Sequence, residues 1–186
     1  MSDKLTAAQQ EFLLRLARET VTAHLQGKKK PSTSTDDPVL KGKRGAFVTL
    51  HVDGGLRGCI GYPLPYKPLV ETISEMALAA ATQDSRFESI RESELGRMNV
   101  EISALTLPRP IQDPAEVEVG RHGIIVSKGH HQGLLLPQVP LEYGWDRETF
   151  LRHGSLKAGL PDDAWKKGAS IQVFEAQVFS EPEGDR

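Results

Sequence analysis

One cysteine, Cys59, stands in a chain of 186 residues. An internal disulfide is therefore excluded, and no CxxC pair is present to hold zinc or an iron–sulfur cluster. Long apolar runs are missing too: the longest, residues 76–81, is far short of the roughly 20 needed to cross a bilayer. The first thirty residues alternate charged and apolar positions without a basic start leading into an apolar stretch, so no secretory leader is visible. Nor is one charge in excess. With 23 Lys and Arg against 25 Asp and Glu, the formal net charge of −2 gives no broad positive field for phosphates, which argues against nucleic acid as a ligand. The catalytic templates GxSxG, GxxxxGKS/T and HExxH are absent, and no GxGxxG joins a strand to a helix. We expect no membrane contact, a reducing compartment and, within it, the cytoplasm.

What is present is the composition of a soluble globular domain, 38% hydrophobic and 26% charged. We read residues 1–186 as a single domain with a mobile polar connection at 27–38 and a tail, 181–186, that frays. Apolar residues at helical spacing over 6–25, opened by Thr6 and Gln9 as a capping box, predict an amphipathic helix. Strict alternation over 45–53 predicts a strand. Gly54 and Gly55 then make a two-residue hairpin turn that returns the chain through Leu56-Arg57-Gly58-Cys59-Ile60-Gly61. Period two sets Arg57 and Cys59 on one face, with Leu56 and Ile60 on the other. In this register His51 falls opposite Gly58, away from the cysteine. A helix opened by Pro68 follows, and the small residues of 77–81 let it approach its support closely. Further on come a strand over 99–107, a hairpin around 124–136 with His130 and His131 at its tip, and a short helix capped by Asp146. The last strand, 171–178, slips once in its alternation, as a β-bulge would make it.

The pair Arg57 and Cys59 is the sharpest chemical signal. A free thiol titrates near pH about 8.5, and a guanidinium beside it favours the thiolate, the form that attacks electrophiles and binds metals. Gly58 and Gly61 remove side chains that would screen the sulfur. From these residues alone Cys59 is either an activated thiol or a small packing residue, since cysteine is among the most buried residue types. Candidate bases are His51, His122, His130, His131 and His153. His130 and His131, being adjacent in an extended chain, point apart and do not chelate.

Five separated blocks carry a resemblance: residues 45–50, the hexapeptide 56–61, Asp84-Ser85-Arg86-Phe87, residues 134–139 and Lys157-Ala158-Gly159-Leu160. In this order they make the chain, over about residues 45–179, resemble the AMMECR domain family. The resemblance implies an α+β fold with a mainly antiparallel sheet flanked by helices, a larger and a smaller lobe, and a cleft at the hexapeptide strand. It also implies the A component of the AmmeMemoRadiSam system, with a Memo-like protein and a radical S-adenosylmethionine enzyme as companions. It names no reaction and leaves the cofactor unknown. Two positions depart from the family pattern. Ser85 stands where proline is usual, and Ser155 stands where a second cysteine is frequent, which closes a two-cysteine mechanism to this chain.

The leading expectation is an accessory enzyme or modification factor with Cys59 and Arg57 as its catalytic pair and no metal ligands. Leu56, Gly58, Ile60, Gly61, Asp84, Arg86 and Lys157 would line its cleft. The other expectation is a non-catalytic module that presents the hexapeptide face to a protein partner.

Overall fold

The computed structural model describes residues 4–182. In chain order the elements are α1 (Ala7–Leu25), α2 (Pro38–Lys41), β1 (Ala46–Val52), β2 (Gly55–Tyr62), α3 (Leu69–Thr82), β3 (Met98–Leu105), β4 (Arg109–Ile111), β5 (Gly123–Lys128), β6 (His131–Leu135), α4 (Val139–Tyr143), α5 (Arg147–Lys157), β7 (Ser170–Phe174) and β8 (Ala176–Ser180). Two four-stranded sheets, ordered β2-β1-β3-β8 and β4-β7-β5-β6, combine with these helices in an α+β fold. The chain divides into two compact units. One comprises the residues up to Leu105 together with those from Gln177 on, and the other comprises residues 106–176.

In the first unit α1 begins as its sequence dictates: the Thr6 hydroxyl accepts the Gln9 N–H while the Gln9 side chain accepts the Thr6 N–H. Residues 28–37 have no regular secondary structure, and Asp37 then caps α2 by accepting the Val39 and Leu40 N–H groups. Alternation in β1 and β3 places Ala46, Val48 and Leu50 in register with Ala104, Ile102 and Val100. All six are buried, in one hydrophobic cluster with the apolar sides of α1 and α3. Helix α3 lies so close to β2 that a Cβ built on Gly58 would stand 2.0 Å from the Ala80 carbonyl oxygen. Gly58 is thus required by the helix above it, and not only by access to the neighbouring sulfur.

The final alternating stretch is two strands and not one bulged strand. It breaks at Glu175, with β7 in the second sheet and β8 in the first. There the Thr106 N–H donates to the Glu175 carbonyl at 2.8 Å, and the Thr106 hydroxyl accepts the Glu175 N–H at 2.9 Å. Glu181 is also anchored where a fraying end was expected. Its carboxylate accepts Arg18 Nη2 at 2.6 Å and the Val100 N–H at 2.9 Å, and its own N–H donates to the Val100 carbonyl. The rest of that expected tail, 183–186, lies outside the described residues. The second unit has its own core, in which Ile124, Val126, Phe150, Leu151 and Val173 are buried. Among the described residues no helix is long and apolar enough to cross a membrane.

The contact at Gly58 predicts the effect of a single methyl group. Gly58→Ala has to push α3 off the sheet, and we expect a loss of about 3 kcal/mol of unfolding free energy in urea titrations. Gly96→Ala, whose Cβ meets nothing within 4 Å, is the matched control and should leave the midpoint unchanged or slightly raised.

Candidate functional site around Cys59

Strand β2 lies at the edge of its sheet. Backbone groups on its free side need partners other than a strand. At Cys59 the turn after α3 supplies them: Asp84 Oδ2 accepts the Cys59 N–H at 2.9 Å, and Arg86 Nη2 donates to the Cys59 carbonyl at 3.4 Å. The two side chains also bind each other, Nε to Oδ1 at 3.0 Å and Nη2 to Oδ2 at 2.7 Å. An aspartate and an arginine thereby imitate one residue of a neighbouring strand. The Asp84 side chain is nearly buried, which opposes its ionisation. The Arg86 hydrogen bonds, helped by the Cys59 N–H, outweigh this and hold its carboxyl well below the usual carboxylate range.

Because Cys59 turns its N–H and C=O away from β1, it forms a non-hydrogen-bonded pair with Thr49, the arrangement in which cross-strand side chains come closest. The Thr49 hydroxyl donates to the cysteine Sγ at 3.1 Å. On the other side of Thr49, in register on β3, is Glu101. Cys59, Thr49 and Glu101 thus form one row across three strands, on the sheet face opposite the one buried with α1 and α3. Phe47, two residues before Thr49 on β1, flanks the row on one side, its ring so near Gly61 that a Cβ there would be 2.5 Å away. On the other side His51 stands in register with Leu56 and Asn99.

This register differs from simple alternation in two places. The turn is made by Asp53 (φ 53°) and Gly54 (φ 77°), one residue earlier than the glycine pair. The ladder then shifts between Leu50 and His51, which leaves Arg57 as the extra residue of a β-bulge. Leu50, not His51, faces Gly58. Leu56 and His51 consequently share the face of Cys59, whereas Ile60 pairs with Val48 and packs against the core. Leu56 is 42% exposed.

Arg57 turns to the 88–94 segment. Its fork is bidentate to Glu94, at 3.0 and 3.1 Å, and it donates to the Glu88 and Ser89 carbonyls. None of its hydrogen bonds goes to Cys59; the guanidinium that engages this residue is Arg86. Burial disfavours the charged form of Glu94, but the Arg91 N–H and Arg57 together overcome it and lower its pKa below the ordinary value.

Lys157 belongs to the other unit, as the exposed last residue of α5. The chain next to it packs on Gly133, where a Cβ would lie 2.3 Å from the Ala158 nitrogen. Ser155 is fully buried and its hydroxyl donates to the Leu151 carbonyl at 3.2 Å, so this position is filled by a packing residue. Of the histidines in the second unit, His122 is buried and accepts the Glu118 N–H on Nδ1, and burial is the main cause that lowers its pKa. His153 stacks on Trp145 at 3.8 Å, and His130 and His131 belong to the β5–β6 hairpin. His51 is the one candidate base that shares the sheet face of Cys59. Among the described residues no three of His, Cys, Asp and Glu are grouped to hold a metal ion. Thr49 and Glu101 were not singled out by the sequence. Their signal was Glu101 as a charge between Val100 and Ile102, and it acquires meaning only once the register is known.

A thiol held on the edge strand of an α+β protein is the class this geometry defines. The AMMECR1 family matches residues 14–179, and the chain belongs to that family. A protein of Methanopyrus kandleri is 50% identical, over 99% of this chain and 95% of its own. One of Methanosarcina barkeri is 47% identical, over 96% and 93%. The crystal structure of an uncharacterised protein from Pyrococcus horikoshii superposes with a TM-score of 0.72 at 42% identity, covering 92% of this chain and 91% of that one.

The Asp84 clamp makes stability depend on pH. Its folded pKa lies below the unfolded value of about 3.9, so the linked stabilisation is fully present above that pH and is lost as pH falls through the folded value. Asp84→Asn should cost about 2 kcal/mol at neutral pH and flatten the acid limb of the stability curve, as read by urea unfolding between pH about 2 and 7.

Proposed function

We propose that this AMMECR1-family protein is an accessory enzyme or modification factor in which Cys59 serves as nucleophile or ligand. It works in the cytoplasm with a Memo-like protein and a radical S-adenosylmethionine enzyme. One observation carries the reading: the half-buried thiol has its backbone fixed by Asp84 and Arg86 and its sulfur met by the Thr49 hydroxyl, in a row with Glu101. A cysteine that only fills space needs neither a hydroxyl on its sulfur nor a charged neighbour on an outer sheet face. In this reading Asp84 and Arg86 hold the strand, Arg57 steadies the segment beside it, and Gly58 and Gly61 allow the close packing that sets the thiol in place.

The exposed Leu56, on the same face, favours a second reading, a non-catalytic module that presents the hexapeptide to a partner. Arg57→Ala does not separate the two, because removing that side chain also frees residues 88–94.

The separating measurement is alkylation of Cys59 by iodoacetamide in the native protein, followed by mass, with Cys59→Ser assayed for complementation of a deletion strain. The thiol reading expects modification well below the denaturant midpoint and no complementation by a fully folded Cys59→Ser. Protection until global unfolding, with full complementation, would discard it. Capture of the Memo-like protein that survives Cys59→Ser but is lost in Leu56→Asp would select the binding module.

A further inference from the structure

A cavity of ≈ 800 Å³ opens within the first unit, with His51, Asn99 and Glu101 among its lining residues. Its size is that of a small-molecule site. Two cations and three carboxylates line it: Arg18 and Arg97 against Asp53, Glu101 and Glu181. Both cations are paired in charge. Arg97 pairs with Asp53, and Arg18 gives its fork to Glu181 and further hydrogen bonds to the Leu95 and Met98 carbonyls. The carboxylates Asp53 and Glu181 are committed to the same arginines. Glu101 is left over. Half-buried on β3, its carboxylate has no hydrogen-bond or ion-pair partner among the described residues, and neither has the His51 imidazole. The Asn99 amide donates to the Glu181 carbonyl, which leaves its Oδ1 as an acceptor. Outside the two ion pairs, the groups with unused capacity are a carboxylate, an amide oxygen and an imidazole; within them Arg97 keeps N–H groups free, the one hydrogen bond of its side chain among the described residues being to Asp53.

We infer that this cavity is a subsite for a cationic group, a primary ammonium or a guanidinium, received by Glu101 beside Asn99 and His51. Resting on the reading of Cys59 as a working thiol, this names a substrate class for that thiol, which stands outside the cavity's lining and is joined to it by the row through Thr49 and Glu101: a small amine-bearing molecule whose reactive end reaches the sulfur. An ammonium brings three N–H donors and no acceptor, the complement of what the cavity offers. It also supplies the charge-assisted hydrogen bonds that a half-buried carboxylate lacks. An anionic ligand could use the N–H groups that Arg97 has to spare, but the charges of both arginines are balanced by Asp53 and Glu181, which leaves Glu101 as the excess charge. The geometry sets the ligand's length. Glu101 and Cys59 are separated by Thr49 alone, two strand spacings or about 10 Å at the backbone, and the glutamate side chain spans part of that. Arg86, the cation nearest Cys59, is neutralised by Asp84 and does not reverse the sign.

Since Cys59 is the sole cysteine, thiol reagents of different charge report on its surroundings directly. The probes are (2-aminoethyl) methanethiosulfonate as cation, (2-sulfonatoethyl) methanethiosulfonate as anion and methyl methanethiosulfonate as neutral reference. Each transfers its thioalkyl group to the Cys59 sulfur, forming a disulfide and releasing methanesulfinate. Rates on the native protein at neutral pH are divided by those for free 2-mercaptoethanol. We expect the cation to be favoured over the anion by about 3- to 10-fold, as one uncompensated charge at this range dictates. Glu101→Gln should bring the ratio to within about 2-fold, and salt at about 1 M should do the same in the wild type. Equal rates, a preference for the anion, or a cation preference that survives both Glu101→Gln and salt would overturn the subsite and leave the thiol reading standing. Failure of all three reagents to modify the native protein would remove the thiol reading, and this inference with it.

Discussion

An edge strand leaves alternate backbone N–H and C=O groups without a ladder partner, and β2 carries Cys59 at such a position. Each of these groups left unmet in a half-buried place costs roughly 1–3 kcal/mol, and left open they invite another chain to add a strand. Asp84 and Arg86 close the edge, and the rest of the site follows from that closure. Asp84 can reach the Cys59 N–H only because α3 ends at Thr82, two residues before it. The helix must therefore run along β2. Its closeness then demands glycine at position 58, beneath the Ala80 carbonyl. A requirement that begins with one amide is thus passed through a turn and a helix back to the residue beside that amide.

Seen in this way the hexapeptide divides into residues that build and a residue that is presented. Gly58 admits the helix, Gly61 admits the Phe47 ring, Ile60 packs on the core, and Arg57 reaches round the edge to Glu94. These contacts explain four of the six residues without reference to chemistry. Leu56 and Cys59 are not explained by them. Both lie on the face opposite the core, and only the cysteine is met by a hydroxyl and continued by a row of polar side chains. The motif is in this sense mostly scaffold for one sulfur.

Much of this was legible in the sequence, because hydrophobic periodicity is a local signal. The capping box at Thr6, the two strands flanking the turn, and α3 with its alanines stand where their patterns put them. The two sheets were not legible. The break at Glu175 reads as one slip in an alternating run, and nothing local says that the chain there passes from one sheet to the other. The role of Arg57 was misjudged for a related reason. Proximity in sequence to Cys59 suggested an electrostatic partner, while its actual partner, Glu94, is 37 residues away along the chain. Asp84 and Arg86 were found through the family blocks, and their use as a substitute strand required the fold.

The exposure of the thiol turns on one inserted residue. An Asp-Gly pair in a type I′ turn matches the twist of the flanking strands, and here it sets Val52 against Gly55 and His51 against Leu56. Continued without interruption, that register would bring Leu50 against Arg57 and Val48 against Cys59. The guanidinium would then be driven under α3, the glycine would face outward, and the sulfur would lie in the core. The bulge at Arg57 advances the strand by one residue and reverses all three placements. Gly58 goes under the helix, where only glycine fits, and Arg57 is released to the edge, where its charge is met by Glu94. Cys59 comes out beside Thr49. Leu56 faces outward with or without the bulge and Arg57 leaves for the edge, so the unpaired charge in the row that Cys59 joins is that of Glu101. Both the access to the sulfur and the sign of its surroundings thus depend on a strand that holds one residue more than its partner.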